Sequence, residues 1–519
     1  MIDGITLPAK WSWATFDEVA RVASDLVDPT LTPNAIHIAP NHIESKTGKL
    51  LPFATVAADK VTSSKHRFHA GQILYSKIRP YLAKAVQVSF EGVCSADMYP
   101  VDALIDAKFL FHWLLSPWFT AKTSQNQGRT ILPKINQVAL GRLPVPVAPL
   151  KEQQRIAAKI DELFSDLDAG VAALERARAN LKRYRASVLK AAVEGRLTAE
   201  WRQKNPAVEP ASELLQRILQ ERRQKWEAEQ LAKFAAAGKQ PPKNWREKYV
   251  EPAPADTTGL PELPEGWCWA SVSQLLSEPT CNGISVKGRD SPPGVPALRL
   301  NSMTEGGFDY SIRRYIPIGE DLAQQLAIND QDMFVSRGNG SLHLVGRSVL
   351  AQNPPETIVF PDTMIRVRMI AIGLLRRWIN TIWASRFMRQ QIESKARTTA
   401  GIYKISQADV ESFVVPLPPT KEQEHLLLEI AERIMSIDNV QVTTNLAMIR
   451  ATRLRQSILK QAFEGKLVPQ DPNDEPAHVL LERMRQTGQN NESVDKPART
   501  RASRTGVRAT KAPVKKARP

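Results

Sequence analysis

Six short segments of this 519-residue chain gather Lys, Arg, Asn, Gln and Ser, the side chains that hold phosphates and read base edges. SSKHRFH carries Lys65, His66 and Arg67. SKIRPYLAK carries Ser76, Lys77, Arg79, Tyr81 and Lys84. QNQGRTILPK carries Arg129 and Lys134. Later in the chain, VKGRD supplies Lys287 and Arg289, and SRGNGSLHLVGR supplies Ser336, Arg337, Asn339, Ser341, His343 and Arg347. KARTTAGIYK supplies Arg397, Thr398, Tyr403 and Lys404. Ser76-Lys77 and Ser336-Arg337 each follow an apolar, strand-like run, and an Arg-Thr and a Lys-Ile pair also recur. The glycines of the loop from Ser336 to Arg347 allow close backbone approach. A solvated loop is the competing reading of every segment, because most surface charges are merely solvated.

Catalytic patterns are missing. No GxxxxGK[ST] is present, so ATP hydrolysis by this chain is not expected. Asn353-Pro-Pro-Glu356 approaches the Asn-Pro-Pro-aromatic signature of amino-methyltransferases, but its fourth residue is Glu and no Gly-rich cofactor motif precedes it. Pro361-Asp362 leads into TMIRVRM without the acid-x-Lys pair of a nuclease. His37, His42, His66 and His69 share one stretch, yet no HExxH or Cys/His spacing frames them, and no metal is expected. No catalytic residues are assigned.

Lys and Arg outnumber Asp and Glu by 70 to 54, a net +16 that points to a polyanionic partner. Nine of those charges lie between Lys496 and Pro519, which holds no acid, leaving about +7 on the body. No apolar run approaches the length of a membrane span. The start lacks the basic and apolar regions of a secretory signal. Three cysteines without CxxC spacing fit a reducing cytosol, and a cytoplasmic location is expected.

The elements that must position these segments come in two copies. The forty-five residues from Lys151 match those from Lys421 without a gap at fifteen positions, including Lys151-Glu-Gln153/Lys421-Glu-Gln423 and Glu194-Gly195/Glu464-Gly465. Lys134-Ile-Asn-Gln answers Lys404-Ile-Ser-Gln, and Glu209-Pro-Ala answers Glu475-Pro-Ala. Leu7-Pro8…Trp11-Ser-Trp13 answers Leu263-Pro264…Trp267-Cys-Trp269. Each copy is a divergent β-rich module followed by a helix of about 60 Å at 1.5 Å per residue. Ile160, Leu167, Leu174, Leu181 and Val188 recur every seven residues and predict a coiled-coil seam. In the second copy Ile430, Ile437 and Ile458 carry the seam. Pro149 and Pro418-Pro419 precede the helices, and Gly195 and Gly465 close them. The expected organisation is a module over 1–150, a helical spacer over 151–239 (a coiled-coil helix 151–194 and a further helix), and a Pro-rich linker over 240–262. A second module over 263–420, a second spacer over 421–488 and a basic disordered tail over 489–519 follow.

LPVPVAPLKEQQRIAAKIDEL and VVPLPPTKEQEHLLLEIAERI at the junctions, SVLKAAVEGRL and SILKQAFEGKL at the helix ends, and the Leu-Pro-x-x-Trp openings carry a resemblance. In these and in the doubled module-plus-helix plan, the chain resembles the specificity subunit of type I restriction–modification systems. The resemblance covers nearly everything except the tail. It implies a mixed α/β (α+β) fold in which two target-recognition modules alternate with two long helices that form an antiparallel coiled coil, a pseudo-two-fold internal repeat. It further implies that each module reads half of a split site in double-stranded DNA and that helix length sets the unread gap. Two methyltransferase subunits and restriction/translocase subunits would be the partners. S-adenosylmethionine, ATP and Mg would belong to those subunits, with no cofactor on this chain. The rival readings are a coiled-coil scaffold that touches DNA only through its tail, and a stand-alone nuclease or methyltransferase.

Overall fold

Leu150–Val193 and Thr420–Phe463 are each one unbroken helix of 44 residues, about 66 Å long at 1.5 Å per residue. In the computed structural model of the chain, residues 6–125, 133–399 and 401–494 are described. Between Leu150 and Val193 the sequence has no proline and one glycine, so nothing interrupts the hydrogen-bond ladder. Each helix stops at a glycine in the left-handed region, Gly195 at φ 64° and Gly465 at φ 68°. A β-carbon at Gly195 would also strike the ring of Pro264, and one at Gly465 the ring of Pro8.

The chain folds as two compact units that do not follow its linear order. Unit 1 is Met1–Leu174 with Leu446–Pro519, and unit 2 is Glu175–Asn445. The linear series of domains expected from the sequence is therefore regrouped by contact. Each unit holds one module, the start of the helix that follows it, and the end of the other long helix.

Within unit 1, Glu152 at the start of the first helix accepts from Gln470, beyond the end of the second, while Asp168 pairs with Arg455. The two helical segments are thus antiparallel. Unit 2 repeats the arrangement: Thr198, past the end of the first helix, donates to Glu422 at the start of the second, and Arg185 pairs with Asp438. Asp168/Asp438 and Arg185/Arg455 are equivalent positions of the repeat, so one pair of residue types makes both bridges. The seam follows the same logic. Ile160 and Ile458 are buried in unit 1, where Leu167 and Leu174 are half-buried. In unit 2 Val188, Ile430 and Ile437 are buried and Leu181 is half-buried.

Each module is closed by its first and last strands, which pair antiparallel directly before the long helix. Ser12–Thr15 pairs with Pro144–Val147, and Cys268–Ser271 with Val414–Leu417. Inside lies a four-stranded sheet of the same order in both modules. In module 1 the strands are Ala20–Val22, Met98–Ala103, Ile73–Ser76 and Ala85–Gln87. In module 2 they are Cys281–Asn282, Met364–Val367, Met333–Ser336 and Ser348–Leu350. The remaining strands differ. Module 1 builds a five-stranded mixed sheet, with Ile36–Ile38 parallel to Gly92–Ser95. Module 2 has separate small sheets instead, one of them joining Gly338–Asn339, Ile402–Lys404 and Arg397–Thr399.

The core of unit 1 joins Phe109, Trp113 and Phe119 of module 1 to Ile458 and Phe463 of the second long helix and Leu481 of the last helix. Phe463 meets Trp113 and Phe109 edge-on, at ring-centroid distances of 5.0 and 5.2 Å. Unit 2 joins Trp378 and Phe413 of module 2 to Leu189 and Val193 of the first helix, to Leu426 of the second, and to Leu214 of the helix Ala211–Ala236. The last helix, Ala477–Val494, runs six residues into the segment expected to be tail. The rest of that tail lies outside the described residues. No helix among the described residues is long and apolar enough to cross a membrane.

Candidate nucleic-acid interface

The Ser-Lys and Ser-Arg segments prove to be equivalent parts of one backbone frame. In module 1 the strand Ile73–Ser76 ends with Ser76 N–H donating to Lys84 O (2.9 Å) and Lys77 N–H donating to Asp97 O (3.0 Å). Ile135 N–H closes onto Lys77 O at 3.0 Å. In module 2 the strand Met333–Ser336 ends with Ser336 N–H donating to Arg347 O (2.8 Å) and Arg337 N–H donating to Thr363 O (2.8 Å). Ile405 N–H closes onto Arg337 O at 3.0 Å. Ser76 lies opposite Met98, as Ser336 lies opposite Met364. Lys77 thus corresponds to Arg337, Lys84 to Arg347 and Lys134 to Lys404. The frame is the same, and its charged side chains differ at two of the three positions.

The serines are not surface contacts. Ser76 is buried and donates from Oγ to Ile78 O at 3.1 Å. Ser336 is buried too, and its Oγ has no protein partner. Lys77 lies over the Tyr99 ring at 5.3 Å. Lys84 is half-buried and donates to Pro40 O at 2.6 Å, and burial pushes its pKa down. Lys134 pairs with Asp97 at 3.0 Å. Arg79 is exposed in a left-handed conformation, φ 48°, before the short turn Pro80–Leu82. Arg337 donates to Asp362 O at 3.3 Å.

Lys65 is not presented to a ligand. It is 6% exposed, and its ammonium donates to Ser63 O at 2.8 Å and Ser63 Oγ at 2.7 Å. Arg67, two residues along the strand, is exposed, with Asp25 at 3.8 Å. Lys287 and Arg289 are exposed. Arg129 lies outside the described residues.

In module 2, Gly338–Asn339 joins the hairpin of Arg397–Thr399 and Ile402–Lys404. Arg397 and Lys404, both exposed, stand directly opposite each other in that hairpin. Like charges so placed repel, and a phosphate between them would remove the repulsion. Asn339 Oδ1 accepts from Ser341 N–H at 3.1 Å, which fixes the turn, and Ser341 is half-buried. Asn339 and Arg347, together with Ser336, line a hollow of about 460 Å³.

Two other sequence features take structural roles. The matched Glu-Gln pairs at the helix starts are interior. Gln153 and Gln423 each donate from Nε2, to Ala148 O and Pro418 O, both at 2.8 Å. Glu422 accepts from Trp267 Nε1 at 2.8 Å and Thr198 Oγ1 at 2.6 Å, and pairs with Arg202. Glu152 is buried likewise, and burial raises its pKa. His37, His42 and Asp59 offer donor atoms within 4.8 Å of one another. Hydrogen bonds already engage all three: His37 Nδ1 donates to Asp59 at 2.7 Å and His42 Nδ1 accepts from Ala39 N–H at 3.2 Å.

A family model described as the type I restriction modification DNA specificity domain matches residues 42–176. The type I restriction enzyme EcoDI specificity subunit of Escherichia coli is 47% identical over 221 residues, 42% of this chain and half of that protein. The EcoKI specificity subunit of Escherichia coli strain K12 is 27% identical over 408 residues, 77% of this chain and 75% of that one. The chain also superposes on a solved chain from a study of complex assembly and conformational transition of the type I R-M system. That match has a TM-score of 0.58 at 19% identity and covers 89% of this chain and all of the other, a likeness of fold.

Proposed function

We propose that the chain, which is similar to specificity subunits of type I restriction–modification systems, reads an asymmetric, bipartite DNA site for partner enzymes. The observation that carries the reading is the doubled frame: equivalent backbone positions hold Lys77, Lys84 and Lys134 in one module and Arg337, Arg347 and Lys404 in the other. Two readers with one frame and different side chains should recognise two different half-sites. The chain is itself non-catalytic and binds no cofactor. S-adenosylmethionine serves the methyltransferase subunits, of which two join, and ATP with Mg serves the restriction/translocase subunits. The reading places the protein in the cytoplasm, with the DNA.

A partner surface is supported on the second long helix. In unit 2 its Leu428, Met435 and Val442 recur every seven residues, yet they are 69%, 65% and 58% exposed. Isolated exposed apolar residues are ordinary, but a heptad-spaced row on a helix is the pattern of an unfilled packing face. A methyltransferase subunit is the occupant that the likeness to specificity subunits suggests.

The test is methylation by the complex of this chain with its methyltransferase partners, read by methylation-sensitive sequencing. A single asymmetric, two-part motif is expected. Methylation spread over unrelated sequences would overturn the reading, and so would methyl transfer by the purified chain alone.

A further inference from the structure

The hollow in module 2 contains a residue that the search for basic segments passed over. Beside Ser336, Asn339 and Arg347 it is lined by Asn301, which is exposed. Its walls are otherwise apolar: Leu300, Met303 and Leu344. Asn301 sits in the middle of a short 3-10 turn, Leu300–Ser302, directly after the strand Val295–Leu298.

Module 1 has the same turn in the same place. Pro40–His42 follows the strand Ile36–Ile38, and its middle residue is Asn41. The hydrogen bonds correspond one to one. His42 N–H donates to Ala39 O, and Ser302 N–H to Arg299 O, both at 2.9 Å. On leaving the turn, Leu51 N–H donates to His42 O at 2.8 Å and Asp309 N–H to Ser302 O at 2.9 Å. Asn41 and Asn301 are 260 positions apart, as are Ser76 and Ser336. Asn41 is exposed as well. Its turn is tied to the reading frame through Lys84, whose ammonium binds Pro40 O at 2.6 Å. Arg347, the counterpart of Lys84, lines the hollow with Asn301. In both modules an exposed asparagine therefore stands beside the cation that follows the Ser-Lys or Ser-Arg step, although the loops around it diverge.

We propose that Asn301, with Ser336, Asn339 and Arg347 around it, reads a base edge in one half-site, and that Asn41 beside Lys84 reads one in the other. The proposal deepens the DNA-reading function and rests on it. A carboxamide is uncharged, so it adds no charge against the phosphates, but it offers a donor and an acceptor side by side. That pair matches N6 and N7 of adenine in the major groove. Arginine forks onto O6 and N7 of guanine, and apolar walls accept a thymine methyl.

The test compares wild type, Asn301→Ala and Asn41→Ala, each assembled with its methyltransferase partners, on the preferred duplex and on duplexes changed at single base pairs. Asn301→Ala should lose roughly tenfold to a hundredfold of discrimination at one base pair of one half-site. Asn41→Ala should do so in the other half-site, and neither should change the salt dependence. Asn301→Asp keeps the shape of the side chain but only accepts, so preference there should move toward cytosine, whose N4 donates. If wild type shows a two-part preference and the variants keep it, or weaken on all sequences alike, the asparagine assignment is overturned while the reading function stands. If wild type itself has no two-part preference, the parent reading fails.

Discussion

Replacing Phe463 by Ala tests the claim that module 1 is completed by a residue some 350 positions beyond its own helices. Phe463 is fully buried and meets two aromatic rings edge-on, Trp113 and Phe109 of module 1. Removing the phenyl group from a buried site loses about 2–3 kcal/mol of transfer free energy. Each edge-on contact adds about 0.5–1.5 kcal/mol. The sum is about 4 kcal/mol, within the range of measured Phe→Ala core substitutions. At 1.4 kcal/mol per decade, local opening should rise by about a thousandfold. The assay is amide hydrogen exchange over the helix Ala107–Leu114, which carries both ring partners. Leu454→Ala on the same long helix is the control, because Leu454 is 52% exposed and should cost less than about 0.5 kcal/mol. If Phe463→Ala leaves protection at Ala107–Leu114 within tenfold of wild type, the shared core is refuted.

Three further outcomes are expected. His112 is 2% exposed and burial holds its pKa below the usual value, so the folded state keeps it neutral where the unfolded chain protonates it. Unit 1 should therefore lose stability as pH falls below about 6.5, by at most about 1.4 kcal/mol per pH unit, and His112→Gln should flatten that slope in urea titrations across pH. Arg455, 6% exposed, pairs with Asp168 and lies 4.0 Å from the Phe164 ring, so Arg455→Ala should cost about 3 kcal/mol in denaturant unfolding. Its repeat counterpart Arg185, whose side chain is 37% exposed, should cost under about 1 kcal/mol, and equal losses would contradict the burial argument. Arg397→Ala and Lys404→Ala should weaken DNA binding alike on all sequences and each lower the log–log salt slope by roughly 0.9; sequence-dependent effects would argue against phosphate contact.

Much of the architecture was legible because it rests on local rules. Unbroken helix formers, prolines before and glycines after placed the long helices within a residue of where they lie. The seven-residue spacing picked out seam positions that are buried or half-buried. The grouping into units was not legible, because it depends on antiparallel packing of segments nearly 300 residues apart. The meaning of Lys-Glu-Gln was open for a similar reason: a charged residue at a helix start reads as surface, yet Glu422 is fully buried by partners from Thr198, Arg202 and Trp267. In the candidate interface, basic composition found the frame but not which of its residues the fold buries. Lys65 is buried and Arg67 exposed, and Ser76 and Ser336 end strands inside the fold. Asn41 and Asn301 escaped because neither lies in a segment dense in basic residues. Their equivalence appears only when the hydrogen bonds of the two turns are compared.

The regrouping of the chain also orders events during synthesis. Residues of unit 2 run without interruption from Glu175 to Asn445, whereas unit 1 resumes only at Leu446, after a gap of about 270 residues. At roughly 5–20 residues per second, the first module waits on the order of 15–55 s for the segment that covers Phe109 and Trp113. Over that interval its aromatic surface is open to solvent and to the nearest matching helix end. The equivalent end of the first long helix, Leu189 to Val193, emerges early and carries closely similar wording. At the repeat position where unit 1 has Phe463, that earlier segment has Val193, whose smaller side chain would leave the rings of Phe109 and Trp113 incompletely covered.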